Sequence, residues 1–369
     1  MATYPTKLAE GFSQKLLLEI YDKSLLEVIV NRDYQGEINE RGSILNILNF
    51  DRITERNYTG ANMAAPDDLT ENNTQLIIDQ WKVFYHKEDT IDMWRSYIKN
   101  PHPTIVAQLA DERNRNMDIF ALGLYPDVAA GNRVGTDVTG GTVTITAVTG
   151  AVVGTGGVFT AAMVGRGFKA AGHTQWYRVK AYAGVNNITI EDDLDDVATA
   201  YTGGAIGPLA TYTIEAATPF QITTANLLSK VSALKEKLDI ADRNGKSSVP
   251  DEGRWLIVPP EFETLCVRAS GIELHVPEAY QELVKRGFIT RLQGFNVYRS
   301  NRLTGNNTDG FRVLAGHSNW CTFAEKILQA RMEEDLIANF GTAYKDLFVY
   351  GAKVADPRRH FATEGYWLF

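Results

Sequence analysis

The chain has 369 residues, 44% of them hydrophobic and 22% charged, with a net charge of −8. That length accommodates two or three folding units, and the apolar fraction is that of a globular protein, which rules out wholesale disorder. The acidic balance, with a pI near 5.4, argues against a nucleic-acid reader, which would carry a basic patch.

In chain order, residues 11–30 read as a helix, with Leu16, Leu17, Ile20, Leu25, Val28 and Ile29 as its apolar positions. Arg41-Gly42-Ser43 is a turn, and Ile44 to Phe50 a strand. Residues 51–73 are polar and form a long exposed loop. A second strand runs from Leu76 to His86, with Ile77, Trp81, Val83 and Tyr85 on one face by the period of two. The two strands make a protruding hairpin, which is marginal in water unless it lies on something. Pro103 opens a helix whose positions Val106, Leu109, Met117, Phe120 and Leu124 are interrupted by Arg113 and closed by Pro126.

Residues 126–215 hold 15 of the 31 glycines, among short strands such as Val143–Thr146, Trp176–Val179 and Ile188–Ile190. Glycine turns at this spacing predict a small all-β barrel or sandwich, inserted between the flanking segments. Leu227, Val231, Leu234, Leu238 and Ala241 then repeat at 4, 3, 4, 3, the strongest helix signal, capped by Thr223 or Thr224 and ended by Asn244-Gly245. Arg254 to Val258 reads as a buried strand stopped by Pro259-Pro260. Further strands are Phe295–Ser300, Phe311–Ala315 and Leu347–Val354, the last closed by Asp356-Pro357. Helices alternating with strands make this region α+β or α/β.

Motifs that carry chemistry do not assemble along the chain. Asn244-Gly245-Lys246-Ser247 lacks the first glycine of a phosphate-binding loop, since Ile240 stands there. Gly165-Arg166-Gly167 matches a dinucleotide fingerprint only as a string among strands. Gly316-His317-Ser318 fails as a nucleophile elbow because Trp320 replaces the second glycine. Glu191 to Asp196 reads as an acidic, solvated turn, with weak cation binding as the minority reading. The six histidines are scattered, and Cys266 and Cys321 have no Cys or His at metal spacing, so two buried thiols in a reducing compartment are expected. No apolar core of a signal peptide and no apolar run of about 18 residues is present, so a cytoplasmic protein with no membrane contact is expected. No catalytic, cofactor or metal residue is assigned, and the weight moves to a structural role.

Val30-Asn31-Arg32-Asp33-Tyr34-Gln35-Gly36-Glu37-Ile38, the strand after Gly42-Ser43, and the return through Leu76 to Lys82 resemble a known pattern. It is the N-arm and extended loop of tailed-phage major capsid proteins of the Hong Kong 97 fold. Arg254–Pro260, Gly294–Leu303 and Leu347–Val354 resemble later strands of that family, in the right order.

The resemblance implies an α+β capsid fold with an inserted β domain. Its division would be an N-arm at 1–33, an extended loop at 34–92 and a peripheral domain at 93–125 and 331–369. The inserted domain would take 126–216 and the axial domain 217–330. It implies a non-enzymatic coat protein without cofactors, assembled in the host cytoplasm into hexamers and pentamers of an icosahedral shell around double-stranded DNA. A separate scaffolding protein, a portal and a decoration protein would be its partners, and assembly is taken as non-covalent. Tyr34, Arg52, Arg56, Tyr58, Trp81 and Tyr85 are the candidate inter-subunit contacts. Two alternatives stand beside this reading. One is an encapsulin-like bacterial nanocompartment shell. The other is a glycan- or ion-binding β module on an enzyme, supported by Trp176, Tyr177 and the acidic turn.

Overall fold

The computed structural model describes residues 24–34, 44–50, 71–89, 102–156, 159–194, 197–241, 247–268, 288–333 and 341–369. The chain enters through a single helical turn, α1 (Leu26–Ile29), and a two-residue strand, β1 (Val30–Asn31). Strands β2 (Ile44–Phe50) and β3 (Glu71–Ile77) pair antiparallel from Ile44↔Ile77 to Phe50↔Glu71. Strand β4 (Gln80–Asp89) follows, then the long helix α2 (His102–Leu122). Met117, Ala121 and Leu122 of α2 are buried, one face at helical spacing.

Strand β5 (Arg133–Val134) leads into a β unit. Its strands are β6 (Thr136–Thr139), β7 (Val143–Ile145), β8 (Ala151–Gly154), β9 (Gly167–Ala170), β10 (Tyr177–Gly184), β11 (Asn187–Leu194), β12 (Val197–Thr199), β13 (Ile206–Ala210) and β14 (Tyr212–Thr218). They form one nine-stranded sheet in the order β13-β7-β8-β11-β10-β9-β14-β6, with β12 beside β11. Ile206 of β13 and Val138 of β6, at opposite ends of that path, pack on one shared core, so the sheet curls around it. That core holds Phe159, Phe168, Tyr177, Ile190, Tyr212 and Ile214, and is a cluster separate from the rest of the protein.

The remaining chain runs through β15 (Phe220–Gln221), α3 (Leu227–Asp239), β16 (Trp255–Val258), α4 (Pro260–Arg268), β17 (Phe288–Leu292), β18 (Phe295–Arg299), β19 (Gly305–Asn306) and β20 (Gly310–Gly316). It ends with β21 (Cys321–Glu333), β22 (Gly341–Val354) and β23 (Ala362–Leu368). One sheet has the order β15-β23-β20-β16-β18-β17, with β5 on β23 and β19 on β20. All four residues of β16 are buried, as a central strand covered on both faces requires. Leu227, Val231, Leu234 and Leu238 of α3 are buried in the cluster that contains Trp255, Phe262, Trp320 and Trp367. A second sheet, in the order β1-β21-β22-β4, carries the longest pairing, Cys321↔Val354 through Glu333↔Ala343.

The α+β class, the β-rich middle and the apolar spacing of α3 agree with the sequence reading. Several local expectations need correction. The strand expected from Leu76 to His86 is broken at Ile78-Asp79, and its halves lie in different sheets. β3 closes the hairpin with β2, while β4 pairs with β22 along Trp81↔Val349 and Tyr85↔Lys345. Neither Thr223 nor Thr224 caps α3, which begins at Leu227. Instead Asn226 Oδ1 accepts from Thr223 N at 2.9 Å, and its Nδ2 donates to the Gln221 carbonyl at 3.1 Å, shaping the turn before the helix. The strand does stop before Pro259-Pro260, at Val258, and Pro260 also begins α4, because a first-turn N–H has no helical partner to lose. The acidic stretch is not a solvated turn: Glu191, Asp192 and Asp193 belong to β11, and the last two are buried. Asp192 accepts from Thr202 N at 3.0 Å, and Asp193 pairs with Arg359. Residues 71–73, expected in the loop, belong to β3, and the helix over 11–23, the rest of the loop at 51–70, Asn244-Gly245 and Asp195-Asp196 lie outside the described residues.

Candidate functional site

Strand β4 is an edge strand with two unlike faces. Lys82, Phe84 and His86 stand opposite Phe348, Asp346 and Tyr344 of β22. On that side α2 reaches β22: Arg113 pairs with Asp346 at 2.6 Å and lies 4.9 Å over the Phe348 ring. Phe120 meets Tyr350 edge-on at 5.4 Å between ring centres. Arg113, which breaks the apolar spacing of α2, is thus its link to β22.

The other face of β4 carries Trp81, Val83 and Tyr85, which are 61%, 71% and 61% exposed. Ile77, at the end of β3 and in the other sheet, is also exposed, but the break at Ile78-Asp79 separates it from the strand face on which the period of two had set it. Trp81 and Tyr85 are four residue steps apart along the strand, so the strip is about 13 Å long. Covering its remaining surface removes on the order of 300 Å² from water, worth roughly 7 kcal/mol at about 25 cal/mol per Å². A ladder edge that bears aromatic side chains in water is a template for another chain.

The structure therefore brings two of the six candidate contacts, Trp81 and Tyr85, onto one face. Tyr34 is half-buried just beyond β1, at the opposite edge of the same sheet. Arg52, Arg56 and Tyr58 lie outside the described residues.

Sequence reading missed a buried carboxylate at the entry of the chain. Asp118 on α2 is fully buried and accepts from Ser24 Oγ at 2.7 Å and from Leu25 N at 3.1 Å. It also pairs with Arg302, whose side chain is 8% exposed. Burial pushes its carboxyl above the ordinary carboxylate range, against the pull of Ser24, Arg302 and Leu25. Its only sequence signal is an acid at the spacing of an apolar face.

Cys266 and Cys321 are buried free thiols, as expected. Burial pushes Cys266 up to about 12 and Cys321 higher still. The aromatic pair proposed for glycan binding is not a platform. Tyr177 is buried among Phe168, Tyr201 and Asp192, and Trp176 packs beside Gly131. Among the described residues, no cluster of three His, Cys, Asp or Glu side chains could hold a metal, and no helix is long and apolar enough to cross a membrane.

The phage capsid protein family matches residues 181–361. No curated protein matches the chain. Among solved structures, a chain of Mycobacterium phage Che8 is similar over 98% of both chains, at 17% identity and a TM-score of 0.56. The capsid of cyanophage P-SCSP1u is similar over 98% of this chain and 93% of that one, at 12% identity and a TM-score of 0.57. The capsid of Ralstonia phage GP4 is similar over 100% and 98%, at 13% identity and a TM-score of 0.55. Over nearly its whole length this chain has the fold of phage capsid proteins, and its residues 181–361 match their family.

Proposed function

We propose that the chain is a major capsid protein that self-assembles into the icosahedral shell of a phage head. The observation that carries this is the exposed strip on an edge strand: α2 reaches the sheet through Arg113 on Asp346 and Phe348 of β22, while Trp81, Val83 and Tyr85 of β4 stand in water. A subunit that must meet copies of itself needs such a face, and closed symmetry lets one surface serve every copy.

In this reading residues 1–33 are the N-arm and 34–92 the extended loop. Residues 93–125 and 331–369, which hold α2, β22 and the end of β21, are the peripheral domain, and residues 126–216 are an inserted β unit. Its separate core supports that assignment. Residues 217–330 form the axial domain, and β23, from the peripheral segment 331–369, pairs with its strand β20 from Phe311↔Trp367 to Gly316↔Ala362. The subunits form hexamers and pentamers, a separate scaffolding protein guides them, and a portal and a decoration protein complete the head. The shell encloses double-stranded DNA without gripping it, consistent with the acidic balance of the chain. Its role is structural, and assembly takes place in the host cytoplasm.

The test is the pair of variants Trp81→Glu and Tyr85→Glu, expressed with and without scaffolding protein. Electron microscopy and sedimentation are expected to show loss of shells. The thermal transition of the unassembled subunit should stay within about 0.5 kcal/mol of the parent, because both side chains are mostly in water. Shells of ordinary size and number from both variants would overturn the assignment of this face.

A further inference from the structure

The β unit and the rest of the protein have separate apolar cores, and a cluster of buried charges bridges them. Glu364 of β23, fully buried, receives Arg166 of the β unit at 3.0 and 3.1 Å, one guanidinium nitrogen on each oxygen. It also receives Arg312 of β20 at 3.1 Å, and Arg133 of β5 lies 3.5 Å away. Glu215 of β14 stands 3.7 Å from Arg133 and accepts from Gly131 N at 2.8 Å and Gly167 N at 3.1 Å. Arg133 donates further to the carbonyls of Pro126 and Val128, both at 3.0 Å. Beside this cluster, Asp193 of β11 pairs with Arg359 and accepts from Ala130 N at 3.0 Å.

The chain crosses between the two units only at Val134–Thr136 and at Thr218–Phe220, and these segments lie together: a Cβ on Gly135 would meet that of Ala216 at 2.8 Å. Two adjacent crossings act as a hinge, and only contacts away from them can set the angle. The charged cluster supplies those contacts, because Arg166, just before β9, and Asp193 of β11 reach Glu364 and Arg359.

We infer that Glu364 is the positioning residue of an ionic clamp that fixes the direction in which the β unit points, while each unit folds on its own core. A bidentate Arg–carboxylate pair is directional in a way that apolar packing is not. This goes beyond the shell-forming reading and does not depend on it, since it concerns the isolated subunit. In a shell it would give every copy the same outward geometry.

Trp176 reports on the clamp. It is the one tryptophan between residues 126 and 216, and it packs on Gly131, where a Cβ would stand 3.3 Å from its ring. The experiment uses the full-length, unassembled chain with Glu364→Gln, and Arg166→Lys as a milder variant that keeps the charge but loses the two-pronged geometry. The readouts are acrylamide quenching of Trp176, in a background where the other five tryptophans are Phe, and limited proteolysis across residues 129–136 and 216–221. Removing one partner of a buried charged pair raises the open population, and cleavage at the crossings is expected to rise on the order of tenfold or more. Quenching should rise with it, while near-ultraviolet dichroism from the tyrosines of the β unit stays native. Arg166→Lys should give the same pattern at smaller amplitude, and it is the deciding variant if Glu364→Gln does not fold. Cleavage and quenching at the parent level in a folded variant would overturn the clamp. So would a lowered melting temperature with no gain in native-state quenching, which is what a purely stabilising role produces.

Discussion

Replacing Asp118 with Ala tests how the entering chain is held. The carboxylate joins three elements: the segment at Ser24–Leu25, helix α2, and the turn that carries Arg302. Removing it strips Ser24 Oγ and Leu25 N of their acceptor and takes the carboxylate from a guanidinium that is 8% exposed. Breaking a buried pair on one side costs about 3–5 kcal/mol. For a chain of this size that lowers Tm by roughly 5–10 °C. The pH dependence makes the test sharper. The Asp118 carboxyl is held above its ordinary range, so the folded state binds this proton more tightly than the unfolded state. Its contribution to stability is then fully present below the unfolded pKa and is lost as pH rises through the folded value. The Tm gap between the parent and Asp118→Ala, measured by calorimetry from pH 7 down to pH 4, should therefore widen toward acid. A gap that narrows over that range would mean that attraction to Arg302 outweighs burial, and the reasoning would be refuted.

Other outcomes follow from close packing and burial. Gly351 of β22 lies under the backbone at the end of β3, where a Cβ would stand 2.9 Å from the Ile78 Cα. Gly351→Ala should destabilise the subunit by about 1–3 kcal/mol in denaturant unfolding, and an unchanged midpoint would contradict that contact. Neither Cys266 nor Cys321 should react with a thiol reagent at pH 8 in the native subunit, and both should titrate in denaturant, because burial keeps each thiol protonated.

The hydrophobic spacing of α3 and the alternation of Trp81, Val83 and Tyr85 were legible in the sequence, because a helix or strand imposes its period on any chain that folds with one wet face. The glycine-rich middle announced its β unit for a similar reason, since short strands need turns that only certain residues make. Strand partners were not legible. Nothing local distinguishes a strand that continues a hairpin from one that leaves it, and the break at Ile78-Asp79 is decided by which sheet each half joins. β21 and β23 were missed as strands, although they carry the longest ladder and the main sheet's pairing with β20.

The buried charges show the same division. Arg166 and Glu364 are 198 residues apart, and Asp118 and Arg302 are 184 apart. Nothing in the local sequence around any of the four marks it as one half of a buried pair. Local periodicity sets which residues turn inward, because it depends only on backbone geometry and contact with water. Which inward charges meet is a property of the folded chain, because removing a charge from water is tolerable only where the fold supplies its opposite.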